Sequence, residues 1–327
     1  MTSLVGHAAA REAFLAALRG GALHHAWLLA GPEGIGKATF ARLAAIRMLA
    51  EAGGGPPLPS GLDVLADHPT RSLVEAGSHP DFRVLTRLTK TSDTGAETLA
   101  RSITIDQVRA LLPMFATTPS LGPRRVVVID AIDDLERAGA NALLKSLEEP
   151  PAGTVFLLVS HAPGRLLPTI RSRCRVLRFG PLERAGLREV VRASLPDASD
   201  DEIAAAAQAA DGSPGRALRF AGLDVAGLDE AIGRLLRAGD PTGGERVRLA
   251  QALSGKAAQA RYELFLDRAV GAVAGVARTR SGPSLHAALD AHRGARDLAG
   301  SALGLSLDPQ ATVFEMSGIL ARLASPA

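Results

Sequence analysis

The sequence predicts an α/β domain built on a parallel sheet, followed by an all-α region. Three observations carry this. Residues 126–129 form a continuous, mostly β-branched apolar run ending in Asp130, the pattern of a strand buried on both faces. Residues 26–30 form a second such run and lead straight into a glycine loop and an amphipathic helix. From residue 224 onward no strand-like run occurs, and apolar residues recur only at helical spacing.

The elements follow in order. Residues 7–19 have helical spacing and are stopped by Gly20 and Gly21. After the strand at 26–30, the helix beyond the glycine loop runs to about Leu49. Residues 52–80, rich in Gly, Pro and Ser, predict an irregular insertion. A third strand is expected at 82–86 and an exposed loop at 87–101. Asp106 is a candidate N-cap for a helix reaching about Phe115. A turn-rich connection at 117–123 leads to the strand that ends in Asp130. The helix at 138–147 is ended by Glu148, Glu149, Pro150 and Pro151, since proline cannot continue a helix. A buried strand at 154–159 ends in Ser160, and a short helical segment then leads to Ser172, Arg173 and Cys174. A last strand is expected at 175–179. Gly180 and Pro181 mark a boundary. Three short helices fill 183–221, separated by Pro196 and by 212–215. Five longer helices are expected at 226–237, 243–254, 257–278, 284–303 and 309–324.

Two places carry chemistry. Strand, glycine loop and helix are the context of a phosphate-binding loop: glycines let backbone N–H groups wrap a phosphate, and a lysine reaches its outer oxygens. Here Gly31, Gly34, Gly36 and Lys37 supply those parts. The pattern G-x-x-x-x-G-K-[ST] fails at Ala38, where the hydroxyl that ligates Mg²⁺ belongs. Thr39 follows, but about 100° round the helix, which makes it a poor substitute. Asp130 ends its strand on the side where α/β sheets place ligands.

Composition narrows the classes. The chain has 327 residues, 46% of them hydrophobic, enough for two or three domains with sizeable cores. No apolar run reaches the ~18 residues of a membrane span, and the N-terminal stretch lacks a signal pattern. The expected compartment is the cytoplasm, with no membrane partner. A single cysteine excludes an internal disulfide and a cysteine zinc cluster. Net charge is +3. That balance permits nucleic-acid contact without demanding it. Aromatics at 3%, with one Trp and one Tyr, argue against a base-stacking platform. The eight histidines show no metal-ligand spacing, and His24 and His25 are expected in packing.

The stretches LHHAWLLAGPEGIGKAT, SHPDFRVL, ITIDQVRALLPMF, RRVVVIDAIDDL, ANALLKSLEEPP, LLPTIRSRC and GSPGRAL, in that order over about the first 220 residues, closely resemble the delta-prime subunits of bacterial DNA polymerase III clamp loaders. Those are AAA+ proteins related to the gamma/tau subunits. The resemblance implies a RecA-like nucleotide-binding-type domain over 1–179, a small helical lid over 180–222 and a helical collar over 223–327 that holds the loader's ring. It implies a stator that does not hydrolyse ATP, with gamma/tau and delta as partners, and the sliding clamp and primed DNA met through the assembled loader. It casts Arg173 as an arginine finger acting in trans on a neighbour's ATP, supported by Ser172 and Cys174. Ser160 and Arg216 stand where the family has its two sensor residues.

Active AAA+ enzymes follow the metal-binding Asp with a Glu that polarises water; here Ala131 follows Asp130. With Ala38, this makes the expected ATP binding weak or absent, and no cofactor is expected. Asp133 and Asp134 lie past the strand end and are not expected to face a γ-phosphate. The best-known members carry four zinc-binding cysteines after the loop helix. Residues 51–80 hold none here, so no zinc is expected. Each functional assignment has a plainer counterpart. Arg173 also fits an ordinary interface salt bridge, Cys174 a small packed residue, and Lys145, Glu148 and Glu149 a charged helix end. Two rivals remain to the stator: an ATP-hydrolysing gamma/tau-type subunit, disfavoured by Ala38 and Ala131, and a stand-alone DNA-binding protein, disfavoured by scarce aromatics.

Overall fold

The computed structural model describes residues 4–21, 23–91 and 97–324. The chain forms two compact units. One comprises Met1–Pro196 with Asp211–Arg216; the other comprises Asp197–Ala210 with Ala217–Ala327. Residues 180–222 are thus shared between the units.

The first unit holds a five-stranded parallel sheet and a small antiparallel ribbon. In chain order the strands are β1 (Ala26–Ala30), β2 (Phe82–Leu85), β3 (Thr89–Thr91), β4 (Glu97–Leu99), β5 (Arg125–Asp130), β6 (Thr154–Ser160) and β7 (Arg175–Arg178). The sheet order is β2-β5-β6-β1-β7. The glycine-loop strand β1 lies between β6 and β7, and β5 pairs with β6 so that Asp130 sits beside Val159. Side chains alternate between the two faces, as a pleated strand requires. Trp27, Leu29, Val126, Val128 and Leu157 pack under the helices Ala8–Arg19 and Lys37–Gly53. Leu28, Val127, Ile129, Phe156 and Leu158 pack under Arg137–Glu148 and its neighbours. Both sheet faces are therefore core, and each fully buried large side chain contributes about 1.5–3 kcal/mol.

Three local predictions need correction. The segment 52–80 is not wholly irregular: Pro69–Glu75 is a helix whose first turn is capped by the His68 ring, which accepts from the Thr70 N–H at 3.2 Å. Arg47 fastens the preceding loop to the helix Lys37–Gly53. It is 5% exposed, donates to the carbonyls of Pro59 and Gly61, and pairs with Glu51 at 2.7 Å. Within 87–101, β3 and β4 pair as an antiparallel ribbon, with Thr89 opposite Leu99. Threonines fit an extended, pleated backbone. The tip of the predicted loop, 92–96, and residues 1–3 of the N-terminal stretch lie outside the described residues. Finally, the helix Ile105–Arg109 is capped by Thr104, not Asp106. Thr104 Oγ1 accepts from the Gln107 N–H, and the Gln107 side chain returns to the Thr104 N–H at 3.0 Å, a capping box.

The second unit is all-helical. Asp200–Ala209, Val225–Ala238, Gly244–Leu253, Gln259–Arg278, Gly282–Leu305 and Pro309–Ala321 enclose a core containing Leu235, Phe265, Val313, Met316 and Leu320. Arg268 ties Asp200–Ala209 into it: its fork meets both Asp229 oxygens at 2.7 Å, and its third contact is the Ala209 carbonyl at 2.9 Å. No helix among the described residues is long and apolar enough to cross a membrane.

Candidate functional site

The glycine loop is built by close backbone packing. A Cβ on Gly31 would lie 2.3 Å from the Phe179 carbonyl oxygen. Gly34 has φ +73°, and its Cβ would lie 2.7 Å from Ser213 Oγ, so conformation and space both require glycine there. The segment 212–215 lies directly on the loop. The Ser213 hydroxyl donates to the Glu33 carbonyl, and the Gly215 N–H to the Gly34 carbonyl, both at 2.8 Å. Arg216 is thereby brought beside the loop, where its guanidinium pairs with Asp211 at 3.3 Å.

Lys37 begins the helix Lys37–Gly53 and is 2% exposed. Its ammonium group donates to the Gly31 carbonyl at 2.6 Å and to the Pro32 carbonyl. Burial lowers its pKa to about 8, against the opposing pull of Asp130, Asp133 and Glu33. Burial likewise raises the Asp130 carboxyl. A cavity of about 590 Å³ opens beside them, lined by Ala38, Thr39, Arg42, Phe82 and Asp130 among others. Ala38 lines it with a methyl group, which cannot ligate a metal. Thr39 lines it as well.

Ser160 is fully buried, and its hydroxyl donates to Asp133 Oδ1 at 2.9 Å. The same carboxylate accepts the backbone N–H groups of His161 at 2.6 Å and Ala162 at 3.2 Å. Asp133 therefore brackets the ends of β5 and β6, a role that sequence reasoning missed. The available signal was an acid on the short turn Ile132–Asp134, immediately after a strand. Asp134 pairs instead with Arg87 at 3.1 Å.

Ser172, Arg173 and Cys174 lie elsewhere. They follow the helix Pro168–Arg171 and lead into β7. Strand register fixes their level: Arg175 stands beside Trp27, and Arg178 beside Ala30. The glycine loop continues from the far end of β1. About four residues of strand, or ~13 Å at ~3.3 Å per residue, separate the Arg175 level from Gly31. Arg173 thus sits at the opposite end of the sheet from this chain's own loop. Its side chain is 33% exposed. Nη2 meets Glu148 Oε1 at 2.7 Å, and Nη1 donates to the Thr169 carbonyl at 2.8 Å and to Ser172 Oγ at 3.4 Å. Cys174 is half-buried, and burial pushes its thiol up to about 12, so it is a protonated packing group at neutral pH. The structure thus gathers Gly31, Gly34, Gly36, Lys37, Asp130, Ser160 and Arg216 around one sheet end and leaves the Ser172–Arg173–Cys174 triplet at the other. Among the described residues, no three His, Cys, Asp or Glu side chains converge as a metal site.

Comparison with known proteins adds a family match and three relatives. The family described as DNA polymerase III, delta subunit, matches residues 6–183. A DNA polymerase III subunit delta' from Pseudomonas aeruginosa is 37% identical over 69% of this chain and 66% of its own length. The subunit delta' of Escherichia coli is 33% identical over 63% of this chain and 57% of its own length. A DNA polymerase III subunit gamma from Buchnera aphidicola is 34% identical over 47% of this chain and 38% of its own. The aligned stretch thus spans less than two thirds of each of these relatives.

Proposed function

The chain belongs to the DNA polymerase III delta subunit family, and we propose that within it the protein is a delta-prime-type stator of the clamp loader. On this reading it binds gamma/tau and delta subunits in the cytoplasm and helps to load the sliding clamp on primed DNA. It hydrolyses no ATP itself. Arg173 acts as an arginine finger on the ATP of a neighbouring subunit, with Ser172 and Cys174 shaping the turn that presents it. A planar cation at the developing charge of phosphoryl transfer accelerates the step by roughly a thousandfold or more.

One observation carries this: the exposed Arg173 fork and the chain's own glycine loop stand at opposite ends of the sheet. An arginine so placed serves another molecule. The loop supports the rest of the reading. Lys37 is turned onto its own loop carbonyls, Ala38 offers no metal ligand, and Ser160 is taken up by Asp133. These features, with Ala131 after Asp130, favour the stator over a gamma/tau-type hydrolase. Zinc is not expected, because the chain has a single cysteine; Arg47 and His68 fasten the segment by hydrogen bonds instead. In domain terms, the sheet is the RecA-like part, 180–222 the lid and 223–327 the collar.

The test is a loader reconstituted from this chain with its gamma/tau and delta partners. Arg173→Ala should leave the complex intact and lower clamp- and DNA-stimulated ATP turnover. Arg173→Lys should rescue poorly, because a point charge cannot copy the planar fork. The isolated chain should show only background turnover. Normal turnover with Arg173→Ala in an intact complex would refute the finger. Turnover by the isolated chain that vanishes with Lys37→Ala would refute the stator.

A further inference from the structure

The Arg173 guanidinium is held by two segments far apart in sequence. Thr169, four residues earlier, supplies a carbonyl at 2.8 Å; Glu148, on the far side of β6, supplies a carboxylate oxygen at 2.7 Å. The local contacts, to the Thr169 carbonyl and to Ser172 Oγ at 3.4 Å, both hold Nη1 and leave the Nη2 side of the fork unanchored. The second, tertiary contact fixes its plane.

Glu148 is also in a place that helix stability does not explain. It is the last residue of Arg137–Glu148, with Glu149 as the C-cap. Helix C-termini carry partial negative charge, so a carboxylate there is unfavourable by itself. Its side chain is 49% exposed, and an ion pair this wet adds little to folding. What the pair does achieve is geometric. The charge-assisted contact at 2.7 Å takes one Nη2 N–H, and Nη1 is taken by the Thr169 carbonyl and Ser172 Oγ. The Nε–H and the second Nη2 N–H of a one-third-exposed fork stay available in a fixed direction.

We propose that Glu148 is a positioning residue: it orients the Arg173 guanidinium toward the phosphate oxygens of the nucleotide held by the adjoining subunit. The inference rests on the finger reading above and deepens it. Glu148 touches no nucleotide; it acts only through Arg173. Its effect is therefore on the chemical step, not on the neighbour's affinity for ATP.

The experiment compares four chains in the reconstituted loader: Arg173→Ala, Glu148→Ala, Glu148→Gln and the double variant Arg173→Ala with Glu148→Ala. Clamp- and DNA-stimulated turnover is measured against ATP concentration. Misplacement of a reacting group by about 1 Å can cost about a hundredfold. Glu148→Ala is accordingly expected to reproduce most of the kcat loss of Arg173→Ala, with KM for ATP within about twofold of the parent. Glu148→Gln keeps an acceptor for Nη2 and should retain most of the turnover. The double variant should be no slower than Arg173→Ala alone. Glu148→Gln also stands in if the alanine variant assembles poorly: full activity for Gln with the complex intact supports an acceptor role, whereas a loss equal to that of Arg173→Ala overturns it. If Arg173→Ala is slow while Glu148→Ala matches or exceeds the parent, the positioning role is wrong and the finger stands. If Arg173→Ala itself is unimpaired, the finger reading fails first and takes this inference with it.

Discussion

Asp133→Ala tests whether the carboxylate after β5 is a structural bracket or an acid aimed at a ligand. Asp133 accepts three hydrogen bonds, from the Ser160 hydroxyl and from the N–H groups of His161 and Ala162. Hydrogen bonds to a charged group contribute about 1.5–3 kcal/mol each, and a buried donor left unpaired costs about 1–3 kcal/mol. Ser160 is fully buried, so its loss is felt in full; Ala162 is half-buried; His161 is exposed, and water replaces its partner. The sum is ~3 kcal/mol. Asp133→Asn keeps one acceptor and should cost ~1 kcal/mol. Trp27 is the chain's single tryptophan and is fully buried in β1, so its fluorescence reports the sheet unit alone. With a urea slope of about 2 kcal/mol per molar, the Trp27 midpoint should fall by ~1.5 M for Asp133→Ala. The single tyrosine, Tyr262, is buried in the helical unit and is the internal control. A carboxylate positioned for a ligand, close to Asp130, would behave in the opposite way: its removal would be neutral or stabilising. A midpoint shift below ~0.3 M would refute the bracket.

Two further outcomes follow from the same geometry. Lys37, whose pKa is lowered to about 8, should react with an amine acylating reagent at a rate that levels off just above pH 8. The unfolded chain binds the extra proton between about pH 8 and the ordinary lysine value of 10.5, so stability from this group rises with pH in that window; a plateau only near 10.5 would contradict the buried ammonium. In the helical unit, Leu303, Leu305 and Phe314 are 52%, 66% and 42% exposed. Contiguous exposed apolar patches mark contact surfaces, and Leu305 is the most exposed large apolar side chain among the described residues. Leu305→Glu should leave the Tyr262 transition in place and weaken assembly with gamma/tau and delta on a sizing column. Unimpaired assembly would remove this helix end from the interface.

The sheet was legible because strands buried on both faces are written as unbroken apolar runs, and β1, β5 and β6 are such runs. Helix limits were legible where glycine or proline punctuated them, as at Gly20 and Pro150. What stayed hidden depends on side chains that punctuate less plainly. His68 capping Pro69–Glu75 carries no standard cap signal. Asp106 and Thr104 are both N-cap residue types, and only the reciprocal pairing of Thr104 with Gln107 decides between them. Asp133 looked like surplus acid because its partners, Ser160 to Ala162, are almost thirty residues on and meet it only once β5 and β6 are adjacent. The Glu148–Arg173 pair is hidden for the same reason. The glycine loop itself was readable, but the turning of Lys37 onto its carbonyls was not.

The path of the chain through 196–217 has a mechanical consequence. The backbone leaves the sheet-bearing unit at Pro196, returns for Asp211–Arg216 and leaves again. The returning hexapeptide is fastened to the glycine loop through Ser213 and Gly215, where a Cβ on Gly215 would come within 2.7 Å of Gly34 Cα. It works like a lockstitch. A protease nick anywhere between 197 and 210 severs the thread but leaves the knot tied, so the two fragments should travel together until denaturant loosens that seam.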